Sequence, residues 1–319
     1  MKALVTGGAG FIGSYLCEEL VHGGHEIIII DNLFRGKYEN IEHLLNENNL
    51  FFNVDLAETD NIPTLVALLN KYKPELIFHY AAINGTQYFY DIPSKVLEVN
   101  TMATRNLMQS LKEVCQSDNT YCPKILYASS SEVYGEPFHL PSRENDVTYV
   151  NVASVRDSYA AAKLIGEFYV KLIAEECHFP YINLRLFNVY GPRMIGTKYG
   201  QVIPEFITRL KGGEYPLRIY GDGSHMRSFC YVTDNVRLTV ALALSNAENE
   251  IINIGNDYEI SIKDLGIEIM KKMGKEPAFE FLKERVGDHK RRRPDTTKLH
   301  HYIGAYQFIE LDEGIKRML

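Results

Sequence analysis

Several absences bound this 319-residue chain before any motif is considered. No apolar run approaches the ~18 residues that span a bilayer. The longest are short stretches such as Ile27 to Ile30, so no membrane partner is expected. There is no CxxC pair. Five cysteines, Cys17, Cys115, Cys122, Cys177 and Cys230, are an odd number without framework spacing, which fits reduced, structural thiols in a cytosolic protein, with no metal set expected. There is no excess of basic charge: 34 Lys and Arg against 41 Asp and Glu give a net charge of −7. A nucleic-acid partner is therefore not expected, and an anionic small ligand would require a local Arg or Lys cluster. After Met1 the chain enters a strand-like run with no basic and apolar leader pattern, so a cytoplasmic location is expected. No internal repeat and no low-complexity linker interrupt the sequence, so any two lobes should share a tight interface.

What is present alternates. Lys2 to Thr6, Glu26 to Ile30, Leu50 to Val54, Leu76 to Tyr80, Lys124 to Ala128 and Tyr181 to Phe187 are short apolar runs of strand length. Helical spacing separates them at Ser14 to His22, Ile62 to Lys71, Pro93 to Cys115 and Ser158 to Glu176. Alternating strands and helices predict an α/β fold: a doubly wound parallel sheet covered on both faces. After Gly191 the rhythm breaks, with Pro, Gly and Tyr crowded up to Gly223, a further helix at Leu265 to Met273 and a basic run from Lys290 to Arg293. The expected division is a Rossmann domain over residues 1–190 plus about 228–256. A smaller lobe over 191–227 and 257–319 would lie at the carboxyl edge of the sheet, where open α/β folds bind ligands.

The first strand runs into Gly7-Gly8-Ala9-Gly10-Phe11-Ile12-Gly13. Gly7 permits a tight turn, Gly10 lets a pyrophosphate approach the backbone, and Gly13 permits close helix packing, while the helix start offers free N–H groups to an anion. Eighteen residues beyond Gly13, Asp31 follows the second strand. A carboxylate there accepts hydrogen bonds from ribose hydroxyls and repels a 2′-phosphate, so NAD is the expected cofactor. Arg35 lies near enough to offer a 2′-phosphate a cation. Asp55, after the third strand, either meets the adenine amino group or is a solvated strand end.

Tyr159 and Lys163 stand four apart on a helical stretch, hence on one face. An ammonium beside the phenol is expected to lower its pKa, so that the tyrosine can exchange a hydroxyl proton while hydride moves to or from nicotinamide. Ser129-Ser130-Ser131-Glu132 follows the fifth strand and places hydroxyls at the carboxyl edge. Glu132 is either a general base or a structural carboxylate.

Together these residues resemble the extended short-chain dehydrogenase/reductase family: nucleotide-sugar epimerases, dehydratases and decarboxylases. The resemblance spans nearly the whole chain, through Gly7, Gly10, Gly13, Asp31, Asp55-Leu56, His79-Tyr80-Ala81-Ala82, Asn100, Ser130, Tyr159, Lys163, Arg185 to Pro192 and Ile219 to Gly223. It implies a tightly bound NAD that oxidises C4 of the sugar, Ser130 polarising C4, Tyr159 as base and Lys163 tuning it. It further implies cofactor contacts from Phe11, Ile12, Asn32, Asp55, Leu56, Ala81 and Ala82. For Asn100, direct contact and a structural bond behind the cofactor both stand. Asn188 and Tyr220 would meet the nucleotide-sugar, and Arg227 and Arg292 its two phosphates, unless the basic run is merely a solvated loop. A homodimer through the Pro93 and Ser158 helices is the family habit.

The step after C4 oxidation is left open by the motifs. The dTDP-glucose 4,6-dehydratases are similar around Glu132 but carry Asp where this chain has Ser131. Ser130 to Gly135, Gly191 to Met194 and Arg293-Pro294-Asp295 are closer to decarboxylases of UDP-glucuronate, yet Ile83 to Tyr90 departs from their Ser/Pro-rich loop and adds no arginine. Dehydration, decarboxylation, epimerisation and release of a 4-keto product all stand. So do two different classes, a non-catalytic dinucleotide sensor and a small-ketone reductase, although Ser130, Tyr159 and Lys163 together count against the sensor.

Overall fold

The computed structural model describes residues 1–197, 200–284 and 289–319. Its centre is a seven-stranded parallel sheet. The six strands of the N-terminal part are β1 (Lys2–Thr6), β2 (Glu26–Asp31), β3 (Leu50–Asn53), β4 (Leu76–His79), β5 (Lys124–Ser130) and β6 (Tyr181–Leu186). Across the sheet the order is Glu250–Ile254, β6, β5, β4, β1, β2, β3. The order reverses direction at β1 and β4, and in such folds the crevice at that reversal receives the ligand.

Continuous apolar strands are what a sheet buried on both faces demands. In β2 the run of four isoleucines divides by the strand's two-residue period: Ile27 and Ile29 enter the core under helices α1 (Phe11–His22) and α7 (Val232–Leu244), while Ile28 and Ile30 enter the opposite core. That second core is roofed by α2 (Ile62–Tyr72), α4 (Pro93–Ser117) and α5 (Asp157–Cys177), which supply Leu65, Leu107 and Val170. A third core, with Ile203, Phe206, Leu217, Phe229 and Leu265, packs around α6 (Val202–Lys211) and α8 (Ile262–Lys272) and takes residues from both sides of the division expected from the sequence. Phe11, Ile12 and Tyr15 pack against it, so the start of α1 is shared between the cofactor loop and that core. Arg193 reinforces that junction, donating to Ser14 Oγ at 3.0 Å and lying 4.4 Å over the Tyr15 ring.

Two boundaries differ from the periodicity. α1 begins at Phe11 rather than Ser14, directly on the glycine loop, and β5 runs on through Ser129 and Ser130. Polar strand ends carry no apolar signal, and their pairing with β6, Ser129 opposite Arg185 and Ser130 opposite Leu186, is what extends the strand. A short helix α3 (Tyr88–Asp91) fills part of the segment after Ala82. No helix among the described residues is long and apolar enough to cross a membrane.

Candidate active site

One cleft of about 710 Å³ lies over the carboxyl ends of β1, β4 and β5. The glycine loop forms its floor. Gly7 has φ +71°, a left-handed conformation that favours glycine, and its N–H donates to Ile30 O at 2.8 Å, fastening the turn to β2. A Cβ on Gly13 would stand 2.1 Å from Gly7 O, so the helix can approach the loop only without a side chain there. α1 starts at an N-cap, Gly10, with no side-chain cap and no acidic residue in its first turn. An uncapped helix end opening on a cleft fits a pyrophosphate.

The rest of the cofactor wall follows the sheet edge. Asp31 accepts N–H bonds from Ala9 at 3.0 Å and Leu33 at 2.8 Å. Burial raises its pKa against those donors. The carboxylate still borders the cleft, with acceptor capacity left for a ribose hydroxyl. Asn32 donates to Asp55 Oδ2 at 2.8 Å, and Ala57 N–H to Asp55 Oδ1 at 2.9 Å, so Asp55 is a strand-end staple that also borders the cleft. Phe11, Ile12, Leu56, Ala81 and Ala82 line it too. Asn100 does not. Its amide brackets the backbone of Ile83, accepting from N–H at 2.7 Å and donating to O at 3.0 Å, a structural bond behind the cleft wall. These residues fit NAD, which when bound supplies the hydride acceptor and, oxidised, a cationic ring.

Ser130, Tyr159 and Lys163 converge at the other end. Lys163 Nζ donates to Ala128 O at 2.7 Å and lies 5.9 Å from the centre of the Tyr159 ring. The expected lowering of the tyrosine pKa by Lys163 is corrected by the structure. Burial raises the Tyr159 pKa, the negative charge of Glu132 raises it further, and the counterweights are a hydrogen bond with Ser130 and the charge of Arg35. Burial also brings Lys163 down to about 7, Glu167 opposing, so the lysine itself sits near neutrality. Glu167, one turn further along α5, is gripped by Arg185 through bonds of 3.0 and 2.9 Å and accepts from Ser129 Oγ at 2.5 Å. That buried network fixes the strand end bearing Ser130. Behind it His79, held between Thr6 and Thr104, is pushed by burial to about 3 and is neutral.

Glu132 has a different setting from a free general base. Arg156 Nη2 lies 3.1 Å from one carboxylate oxygen and Arg292 Nη2 2.8 Å from the other. Arg292 Nη1 makes a further close contact, and His289 Nε2 stands 3.9 Å away. Burial works against its ionisation, but Arg156 and Arg292 outweigh it and hold the carboxyl well below the usual range. Arg156 and Arg292 are both buried, Arg156 on the cleft wall and Arg292 behind it. The expectation that Arg292 meets a phosphate is thereby corrected: its guanidinium is committed to Glu132. Arg156 and His289 escaped sequence reading. Arg156 stands three residues before Tyr159, on the turn into α5, and that spacing was the available signal.

On the lobe side, Asn188, Tyr220 and Arg227 border the cleft. Asn188 has φ +29° and donates to Ser228 O at 2.9 Å. Arg227 is braced by backbone carbonyls, donating to His289 O at 2.6 Å and Met226 O at 2.9 Å, which aims a cation over the cleft.

A cleft with a dinucleotide floor at one end and a buried serine–tyrosine–lysine set at the other defines a dinucleotide-dependent oxidoreductase. The model of the NAD dependent epimerase/dehydratase family matches residues 3–255, and the chain belongs to that family. UDP-N-acetyl-alpha-D-glucosaminuronate decarboxylase of Bacillus cytotoxicus is 33% identical over 324 aligned positions that cover the whole of this chain and 96% of the relative. UDP-glucuronic acid decarboxylase 1 of Xenopus tropicalis is 33% identical over 319 positions, again the whole chain, and 71% of the relative. The crystal structure of UDP-glucuronic acid 4-epimerase from Bacillus cereus, with UDP-glucuronic acid and NAD, matches with a TM-score of 0.86 at 31% identity, covering 99% of this chain and 97% of that one. The protein is an NAD-dependent nucleotide-sugar-modifying enzyme of the extended short-chain dehydrogenase/reductase group, working through oxidation at C4.

Proposed function

We propose that the substrate is a UDP-hexuronic acid and that, once C4 is a ketone, the sugar loses its carboxylate as carbon dioxide. The observation that carries this is the grip of Arg156 and Arg292 on Glu132. Arg156 carries that ion pair onto the cleft wall that Ser130 and Tyr159 share. An anionic group attached next to C4 suits a guanidinium on that wall. Bonding at C6 explains why oxidation comes first: a carboxylate one carbon from a ketone loses carbon dioxide when the bonding pair is received by the ketone oxygen, and Ser130 and Tyr159 are the donors placed to stabilise that oxygen. A proton then replaces the carboxyl at C5, and C4 takes back the hydride it gave up while Tyr159 returns a proton to its oxygen, so the net change is loss of carbon dioxide. The decarboxylase relatives support the reading, and a structural neighbour bound to UDP-glucuronic acid supports the uronate.

The segment Ile83 to Tyr90 favours a second reading in which the same uronate is turned over at C4 and keeps its carboxylate. Incubating the NAD-loaded protein with UDP-glucuronate and weighing the product separates them. A product lighter by carbon dioxide is expected, and a product of unchanged mass with inverted C4 would favour epimerisation.

A homodimer is part of the same proposal. Ile165, Phe168 and Leu172 form an exposed apolar stripe on α5, at the helical spacing of one face, and Leu97 on α4 is exposed too. A self-complementary stripe on two packed helices suits a two-fold axis.

A further inference from the structure

The loop after Asp31 reaches further than a ribose site requires. Leu33, at φ +58°, turns the chain, Lys37 N–H and Asn40 Nδ2 both donate to Ala9 O, at 3.0 and 2.9 Å, and a Cβ on Gly36 would stand 2.8 Å from that of Ala9. The loop is thus bound flat to the glycine turn, and Phe34 and Arg35 project from it. Both meet the opposite wall. The Arg35 guanidinium lies 5.3 Å from the centre of the Tyr88 ring, the Phe34 ring lies 6.1 Å from the Tyr88 ring, and Lys95 Nζ lies 5.1 Å from the Phe34 ring. Phe34, Arg35 and Lys95 all border the cleft that holds the glycine turn. The residue after Tyr88 ties this wall to the chemistry: Phe89 stacks on Tyr159 with ring centres 4.6 Å apart at 18°.

We propose that Phe34 and Arg35 close with Tyr88 and Lys95 into an aromatic–cation clasp across the NAD groove, which retards exchange of the cofactor and, through Phe89, seats Tyr159. The inference rests on NAD binding and not on which uronate reaction follows. The Arg35 guanidinium is thereby placed over the Tyr88 ring on the far wall of the groove. Dinucleotide leaving the groove must part the loop from α3 and from the start of α4, breaking two cation–ring contacts that together correspond to roughly tenfold in rate.

The test loads the whole protein with NAD, adds excess isotopically labelled NAD, removes free cofactor by rapid filtration, and follows the retained label by mass spectrometry. Arg35→Ala, Tyr88→Leu and the double variant are compared with the parent, with thermal unfolding recorded for each. Each single variant should exchange about threefold faster, and the double within about twofold of the faster single, because both remove the same Arg35–Tyr88 contact. Phe34→Ser, at an exposed position, should also speed exchange and carries the test if Tyr88→Leu does not fold. Unchanged exchange in Arg35→Ala and Phe34→Ser overturns the proposal. So do effects that multiply in the double variant, or an Arg35→Ala variant that loses only affinity for NADP.

Discussion

Lys163 is a cation in a place that water does not reach, and its consequences can be measured. Burial lowers its pKa to about 7, below the ordinary lysine value, so between those two values the unfolded chain binds the additional proton. Stability therefore rises with pH through that interval: the cost of burying the ammonium is fully present below about pH 7 and is gone above the ordinary lysine range. Lys163→Met should unfold at a higher temperature than the parent near pH 7, with the gap narrowing as pH rises, as read by calorimetry across pH. Glu132 acts on its neighbour in the opposite sense. Its charge raises the Tyr159 pKa, so Glu132→Gln should move the alkaline rise in the rate of nicotinamide reduction toward lower pH. A pH profile of that half-reaction unchanged from the parent would mean that the two residues are not coupled. These roles were only half legible in the sequence. Tyr159 and Lys163 announce themselves by a helical spacing of four, whereas Arg156 and Arg292 find Glu132 from 24 and 160 residues away, and separations of that kind leave no local pattern.

At the scale of elements, the first strand, the glycine turn and α1 were readable because each step has a local cause: apolar strand, left-handed turn, uncapped helix. Gly13→Ala tests the tightest of these. A methyl placed 2.1 Å from Gly7 O has nowhere to go, so the turn must open, at about 1–3 kcal/mol in stability. Titration calorimetry should show NAD affinity lost along with it. The strand Glu250–Ile254 lies far along the chain from β6, its neighbour in the sheet, and α3 is a four-residue helix. Four residues are too few to show a helical period. The clasp jaw at Tyr88 and the aromatic seat of Tyr159 were hidden for that reason, although the unusual residues Ile83 to Tyr90 marked where to look.

At the scale of the molecule, the glycine loop, Ser130, Tyr159, Lys163 and Arg227 share one cleft. Phe11, Ile12 and Tyr15 at the start of α1 pack against the third core, which ties the cofactor loop to α6 and α8. The exposed stripe on α5 carries the remaining whole-molecule expectation. Phe168→Glu should convert a dimer to a monomer in light scattering at micromolar protein, because a charge cannot be buried on a self-facing apolar surface without a partner. A parent protein already monomeric at that concentration would refute the dimer.

The central claim is that Ser130, Tyr159 and Lys163 direct hydride from C4 of a uronate before its carboxylate departs. A single turnover with UDP-glucuronate deuterated at C4 tests it, following absorbance of reduced nicotinamide and released carbon dioxide together. Reduced nicotinamide should appear first, more slowly than with the protiated sugar, and carbon dioxide should follow, with both signals absent in Tyr159→Phe. Carbon dioxide released without reduced nicotinamide, or full turnover in Tyr159→Phe, would contradict the account.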